Sequence, residues 1–163
     1  MPRAMTDPEL YEADFYAWTK IQADRLRRLQ AERPNLDLDL PHLAEEVEDL
    51  GKSERNALRS HLRRIIEHCL KLEWSPATDP HGSWRRSISE ARLEIEGRMT
   101  ATLRHDMIND LPRLYDGARE LAHDALTEHG EIEAAAAPPA ANPYSLDDLL
   151  TRGWYPRRRA GGS

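Results

Sequence analysis

Four acidic residues stand close together in the stretch EEVEDLG at residues 45–51. A helix would place Glu45, Glu48 and Asp49 on one side, with Lys52 three residues further along. Grouped carboxylates of this kind can bind a cation or act as general acid and base. They also occur as a solvated face near a helix N-terminus, where negative charge is stabilised, or as a surface that contacts another molecule. The sequence leaves these alternatives open.

Three further charged residues lie close to apolar positions of predicted helices. Asp14, Lys71 and Arg92 each fall beside residues that we expect to face a core. Such residues can form internal ion pairs, or they can line a pocket. Together with the acidic group they make up the candidate interaction or pocket residues, namely Asp14, Glu45, Glu48, Asp49, Lys71 and Arg92.

A basic stripe follows the acidic group on the same predicted helix. Arg55, Arg59 and Arg63 recur every four residues and would share one side. One helix would thus carry an acidic half and a basic half, which antiparallel self-association would pair. The same stripe is the candidate basic surface for nucleic acid, although the net charge of −6 argues against such a partner.

Motifs for metals, cofactors and nucleophiles are sparse. Glu120 and His123 form one Glu-x-x-His motif, whereas a di-iron bundle needs two such motifs and further glutamates. His61 and His68 lie seven residues apart, and Cys69 falls at an apolar position where an inert thiol is expected. The sequence contains neither a Gly-x-Ser-x-Gly turn nor a glycine-rich phosphate loop. We therefore predict no catalytic residue, no metal site and no cofactor.

Composition favours one all-α domain. The chain has 163 residues, of which 39% are hydrophobic and only 6% aromatic, and leucine, alanine, arginine and glutamate are abundant. One cysteine excludes an intrachain disulfide. No apolar run approaches the roughly 20 residues of a membrane span, and the first residues do not resemble a signal peptide. We expect a cytoplasmic protein that does not associate with membranes.

The apolar pattern predicts four to five helices around a long central helix at about 42–74. A first helix begins at Pro8 and ends near Glu32. The central helix carries one apolar seam, which comprises Leu43, Val47, Leu50, Leu58, Leu62, Ile65, Cys69 and Leu72. Gly51 interrupts this seam and has two interpretations, because it can end one helix or permit a kink or close crossing within a longer one. The preserved register favours one long helix.

Later elements are shorter. A helix starts at Asp79-Pro80 or at Ser83 and runs to about Thr102, and another runs from an Asn109-Asp110 cap to Gly130. A short C-terminal helix, capped by Ser145, packs back on the bundle. We predict a frayed segment at 1–7, a single domain at 8–156 with a flexible linker or crossing at 131–143, and a basic disordered tail at 157–163.

Several blocks of this sequence resemble the bacterial family called Domain of Unknown Function 29. They are YEADFYAW at 11–18, LDLDLPHLAEEVEDLGKSER at 36–55, HCLKLEWSP at 68–76, SWRRSISEAR at 83–92 and NPYSLDDLLTRGWYP at 142–156. The resemblance covers about residues 10–156. It implies an all-helical fold, and it implies no activity.

Three functions are compatible with these features. The first is a non-catalytic protein-interaction or regulatory module that binds an unidentified protein partner or self-associates. The second is a ligand-binding or enzymatic bundle that uses Asp14, Glu45, Glu48 and Lys71 around a pocket. The third is a nucleic-acid-associated regulator that uses the arginine stripe and the basic tail. A structure distinguishes these functions. Carboxylates around a pocket favour the ligand-binding or enzymatic bundle, a flat charged surface favours the interaction module, and a contiguous arginine patch favours the nucleic-acid regulator.

Overall fold

The computed structural model describes residues 3–159, and this part of the chain is helical without any strand. The all-α prediction is therefore confirmed. The helices are α1 (Asp7–Ala13), α2 (Phe15–Glu32), α3 (Leu40–Trp74), α4 (His81–Glu96), α5 (Ala101–Glu128), α6 (Ile132–Ala136) and α7 (Leu146–Leu150).

The chain divides into two compact units. The first unit consists of the residues up to Ala57 together with Met99–His105. The second unit consists of Leu58–Arg98 together with the residues from Asp106 onward. Helices α3 and α5 each contribute residues to both units. The prediction of a single domain at 8–156 stays a prediction.

The first predicted helix is in fact two helices separated by Asp14. This residue has φ −150° and ψ 78°, so it leaves the helical region and ends α1. Its carboxylate then accepts a hydrogen bond from the backbone N–H of Ala17 at 3.0 Å and caps α2. A side-chain cap satisfies one of the backbone donors that a helix start leaves without an intrahelical partner. The apolar periodicity continues across Asp14, so the sequence pattern does not indicate the break between the two helices.

Helix α3 runs without interruption through Gly51, as the preserved register predicted. The glycine is needed for packing within the first unit. A Cβ atom at this position would lie 2.2 Å from Thr19 Oγ1 and 3.3 Å from Tyr16 Cδ2. Thr19 is fully buried and its hydroxyl donates to the Tyr16 carbonyl at 2.7 Å, so it has little freedom to move away. Gly51 therefore permits a close crossing of α2 and α3.

The apolar seam of α3 is buried in its second half only. Leu58, Leu62, Ile65, Cys69 and Leu72 are all at most 4% exposed.

In the first half of the seam, Leu43 is 43% exposed and Leu50 is 53% exposed. The expectation that these two leucines face the core is wrong. Leu40, Ala44 and Gly51 are buried there instead, on an adjacent side of the helix.

Helix α5 also differs from its prediction. The expected cap at Asn109-Asp110 does not form, because α5 continues from Ala101 to Glu128 with Pro112 inside it. Pro112 is exposed, so its ring lies on the solvent side of the helix. The preceding helix, α4, correspondingly ends at Glu96 rather than near Thr102.

The C-terminal stretch makes specific contacts in the second unit. The predicted linker at 131–143 contains α6, and the Pro138 and Pro139 carbonyls accept hydrogen bonds from Arg119 and Tyr115. Within the predicted tail at 157–163, the Arg159 backbone N–H donates to the Glu73 carbonyl at 2.7 Å. Residues 1–2 and 160–163, which belong to the predicted frayed ends, lie outside the described residues.

Within residues 3–159, every helix is too short or too polar to serve as a membrane span.

Candidate functional site

Asp14 serves as a structural junction in the first unit. Its Oδ1 accepts from Ala17 N–H, and its Oδ2 accepts from the backbone N–H of Thr102 at 3.1 Å. Burial raises the pKa of this carboxyl, but hydrogen bonds from Ala17, Thr102 and Thr100 outweigh the effect and leave the pKa below its usual value. Asp14 thus joins α1 and α2 to the start of α5.

The acidic group of α3 is an open, partly paired surface. Glu48 accepts from Arg27 at 3.0 Å and from Lys52 at 3.1 Å, and Lys52 also reaches Asp49 at 3.2 Å. Both hydrogen bonds hold the pKa of Glu48 below its usual value, the one from Lys52 more strongly. Glu45 is exposed. Within residues 3–159 no group of three or more His, Cys, Asp or Glu residues is arranged to hold a metal ion.

The basic stripe is divided between the two units, since Arg55 belongs to the first unit and Arg59 and Arg63 belong to the second. Arg55 is half-buried. Arg59 lies 3.6 Å from an Asp110 carboxylate oxygen, whereas Arg63 is exposed.

Lys71 lines a cavity of about 590 Å³ in the second unit. Its ammonium group donates to Glu67 at 2.6 Å, and its side chain is only 12% exposed. Trp84, Asp79 and Glu131 also line this cavity. Asp14, Glu45 and Glu48 belong to the first unit and do not line it.

Arg92 is buried in the second unit, with only 4% of its surface exposed. Its Nε donates to the Leu149 carbonyl and its Nη2 donates to the Trp154 carbonyl, both at 2.8 Å. Burial lowers the pKa of the guanidinium, which stays charged at neutral pH because an arginine pKa is so high. Arg92 therefore fastens the C-terminal segment to α4.

Sequence reasoning missed a second buried polar group, that of Glu73. The Tyr144 hydroxyl donates to Glu73 Oε2 at 2.5 Å, and Arg159 Nε donates to Oε1 at 2.9 Å. Burial raises the pKa of Tyr144 well above its usual range, and the hydrogen bond to Glu73 adds to this effect. Burial also raises the pKa of Cys69 to about 12, so its thiol stays protonated and inert. The partners of Glu73 lie more than 70 residues away along the chain, so no local pattern indicates them.

A partly exposed apolar surface of the first unit extends over α2 and α3. We call it the α2/α3 face, and it consists of Phe15, Trp18, Leu26, Leu29, Leu43, Val47 and Leu50. The α2 members and Val47 are half-buried, while Leu43 and Leu50 are exposed. Exposed apolar patches of this kind often mark protein contacts.

Two contacts fix the side on which this face lies. Thr19 meets Gly51 at the centre of the helix pair, and Arg27 hydrogen-bonds Glu48 along one side of it. Helical periodicity places Leu26 and Leu29 on the side of α2 that turns away from Arg27. It likewise places Leu43, Val47 and Leu50 on the side of α3 that turns away from Glu48. The apolar residues of both helices therefore lie along the same, opposite side of the pair.

Aromatic rings extend one end of this face. Phe15 stacks on Trp18 with ring centroids 5.8 Å apart, and Tyr11 meets both rings edge-on at 5.4 and 4.9 Å. Tyr11 is 47% exposed. Large aromatic side chains that are only partly buried are typical of interface anchors.

The two helices carry opposite charge. Helix α2 has four basic and two acidic residues, whereas residues 40–57 of α3 have five acidic and two basic residues. Glu45 and Glu46 are exposed and form no ion pair among the described residues. The two helices that form the apolar face therefore differ in the sign of their net charge.

Comparison with known proteins places the fold and the family. The crystal structure of an alpha-helical protein of unknown function from Rhodospirillum rubrum superposes with a TM-score of 0.77. The two sequences are 29% identical, and the match covers 93% of each chain. Among curated proteins, none matches this sequence.

The family model described as Domain of unknown function DUF29 matches residues 10–155. This range includes both helices of the α2/α3 face as well as Arg92 and Glu73. The resemblance seen in the sequence is confirmed, and the chain belongs to this family.

Proposed function

We propose that this protein is a non-catalytic protein-interaction module whose first unit binds a second copy of the chain through the α2/α3 face. The observation that carries the proposal is the exposure of Leu43 and Leu50 on an otherwise regular apolar stripe. Exposed leucines at this spacing are typical of helices that pack against a partner.

Charge supports a second copy as the partner. A symmetric interface presents the same surface from both copies. With a two-fold axis parallel to the helices, basic α2 of one copy lies over acidic α3 of the other. Opposite charges then meet on both edges of the resulting four-helix arrangement. This favours packing of α2 against α3 of the other copy over packing of α2 against α2.

The proposal is tested by sedimentation velocity across a range of protein concentrations. We expect a reversible dimer that weakens as salt rises, because the flanking charges are exposed and therefore screened. The substitution Leu50→Asp should weaken association roughly tenfold or more, since it places a charge in the apolar contact.

Leu93→Asp provides the matched control. Leu93 is 58% exposed, comparable to Leu50 at 53%, but it lies on α4 in the second unit. It should leave association unchanged. A wild-type protein that stays monomeric at all concentrations and is indifferent to salt would overturn the proposal, as would equal effects of the two substitutions.

We also infer a cytoplasmic location. The single cysteine, Cys69, is buried and free, which suits a reducing compartment. Fractionation of the native host with an antibody against the protein tests this inference, and recovery outside the cytoplasmic fraction would contradict it.

A further inference from the structure

A small cavity in the second unit is lined by cationic side chains. Its volume is about 220 Å³, and its lining consists of Ser89, Arg92, Leu93, Arg152 and Gly153. Both charged residues in this lining are arginines, and no carboxylate takes part. The Lys71 cavity differs, because it mixes a lysine with two acidic residues.

Arg92 is a buried cation without a carboxylate partner among the described residues. Two of its nitrogens donate to the Leu149 and Trp154 carbonyls. Its third nitrogen, Nη1, is buried and has no hydrogen-bond partner within residues 3–159. A buried charge without a counter-ion is costly, and carbonyl dipoles offset only part of that cost. An anion in the cavity would offset this charge through space, without a hydrogen bond to the buried Nη1.

Other donors and cations gather around the same place. The guanidinium of Arg92 lies 5.5 Å from the centroid of the Tyr155 ring, and that of Arg85 lies 4.9 Å from it. The Ser89 hydroxyl is 3.5 Å from the Tyr155 hydroxyl. Three arginines therefore cluster here in a chain with a net charge of −6.

Arg152 is placed to act as a movable second ligand. Its side chain is 68% exposed and pairs with Glu96, whose side chain is 60% exposed. Exposed ion pairs of this kind contribute little to stability, so the guanidinium can exchange Glu96 for another anion.

We propose that this cavity binds a small oxyanion, namely a phosphate or carboxylate group, through Arg152, with the charge of the buried Arg92 beside it. The planar fork of the exposed Arg152 guanidinium matches both groups with paired hydrogen bonds, whereas Arg92, whose nitrogens donate to carbonyls or are buried, contributes its positive charge. The size of the cavity suits a free ion or the terminal group of a larger molecule, but not a whole drug-sized ligand. This site is independent of the self-association proposed for the first unit.

The test is an NMR titration of the folded protein that follows the Gly153 amide and the Arg92 Nε–H. Inorganic phosphate and acetate should each give saturable shifts at both signals, while sodium chloride at equal ionic strength should not. Phenyl phosphate distinguishes the sources, because it shifts these signals only if the site accepts a group carried on a larger molecule. Shifts of the same size with chloride would overturn the proposal.

Arg152→Gln is the informative variant, because its exposed side chain does not anchor the fold. It should weaken phosphate binding roughly tenfold, as expected for loss of a charged hydrogen-bond donor. Arg98→Gln is the matched control, since Arg98 is an exposed arginine that lies 3.8 Å from Glu94, its partner within the same unit. Unchanged binding by Arg152→Gln, or an equal loss in Arg98→Gln, would overturn the assignment.

Discussion

The two units of this protein differ in the burial of their charged side chains and in the exposure of their apolar side chains. In the second unit Arg92 and Glu73 are buried, and both hold distant segments of the chain through hydrogen bonds. In the first unit Asp14 is also buried, but most other charges are exposed, and Glu48 pairs with Arg27 and Lys52 at the surface. The first unit is the smaller, yet it contains seven of the eleven large apolar side chains exposed within residues 3–159.

This contrast indicates that the two units have different roles. The buried polar contacts of the second unit specify one arrangement of its C-terminal segment, because each buried donor and acceptor needs its partner. The first unit leaves Leu43 and Leu50 of the α2/α3 face exposed and the other residues of this face half-buried. We therefore expect substitutions in the second unit to act mainly on folding, and those on the α2/α3 face to act mainly on association.

The largest effect is expected for Arg92→Met in the second unit. The methionine keeps the apolar stem but leaves the Leu149 and Trp154 carbonyls without their donor, which should lower the free energy of unfolding by about 3 kcal/mol. Chemical denaturation followed by circular dichroism measures it. Arg85→Met is the control, because Arg85 also lies over the Tyr155 ring but is exposed. A similar loss of unfolding free energy in both variants would show that the buried and the exposed arginine contribute equally to stability.

Gly51→Ala should have the next largest effect on the free energy of unfolding, and it tests packing in the first unit. The added methyl group would clash with Thr19, so we expect a loss of about 2 kcal/mol in the free energy of unfolding. Gly117→Ala is the control within α5, where the new Cβ would make an ordinary 3.6 Å contact with Arg63 Cδ. Differential scanning calorimetry should show a lower Tm for the first variant and an unchanged or higher Tm for the second. A neutral Gly51→Ala would refute the close crossing.

Asp14→Asn should have a smaller, pH-dependent effect. The hydrogen bonds that lower the Asp14 pKa stabilise the folded state above the pKa of the unfolded chain, and this contribution disappears as pH falls through the lower, folded value. At neutral pH we expect the variant to lose about 1 kcal/mol of unfolding free energy.

Denaturation series at several pH values provide the measurement for Asp14→Asn. The difference from the wild type should narrow below about pH 4, the usual region of an aspartate pKa. Asp124→Asn, at an exposed position on α5, should show no difference at any pH. A gap between Asp14→Asn and the wild type that is constant with pH would show that charge is not the cause.

Much of the fold could be read from the sequence, because helical periodicity reports locally on burial. The seam from Leu58 to Leu72 identified the buried half of α3, and its register across Gly51 indicated one helix. The same periodicity could not distinguish a core-facing leucine from one that faces a partner or solvent. Leu43 and Leu50 were therefore assigned to the core and are exposed.

The remaining differences between the predicted and the observed structure come from contacts between residues far apart in the chain. Asp14 divides α1 from α2 with help from Thr102, 88 residues away. Arg92 was identified as a pocket or interaction candidate, but its carbonyl partners lie 57 and 62 residues further on. No local pattern encodes such pairs, so the chemistry of each residue was apparent from the sequence while its partner was not.

Isotope-filtered NMR on a mixed sample shows whether the α2/α3 face contacts a second copy of the chain. One copy carries ¹³C-labelled methyl groups and the other carries none. We expect intermolecular NOEs from the Leu43 and Val47 methyl groups of the labelled copy to Leu26 and Leu29 of the unlabelled copy. Absence of filtered NOEs at concentrations well above the dimer Kd, or NOEs confined to Leu93 and its neighbours, would contradict it.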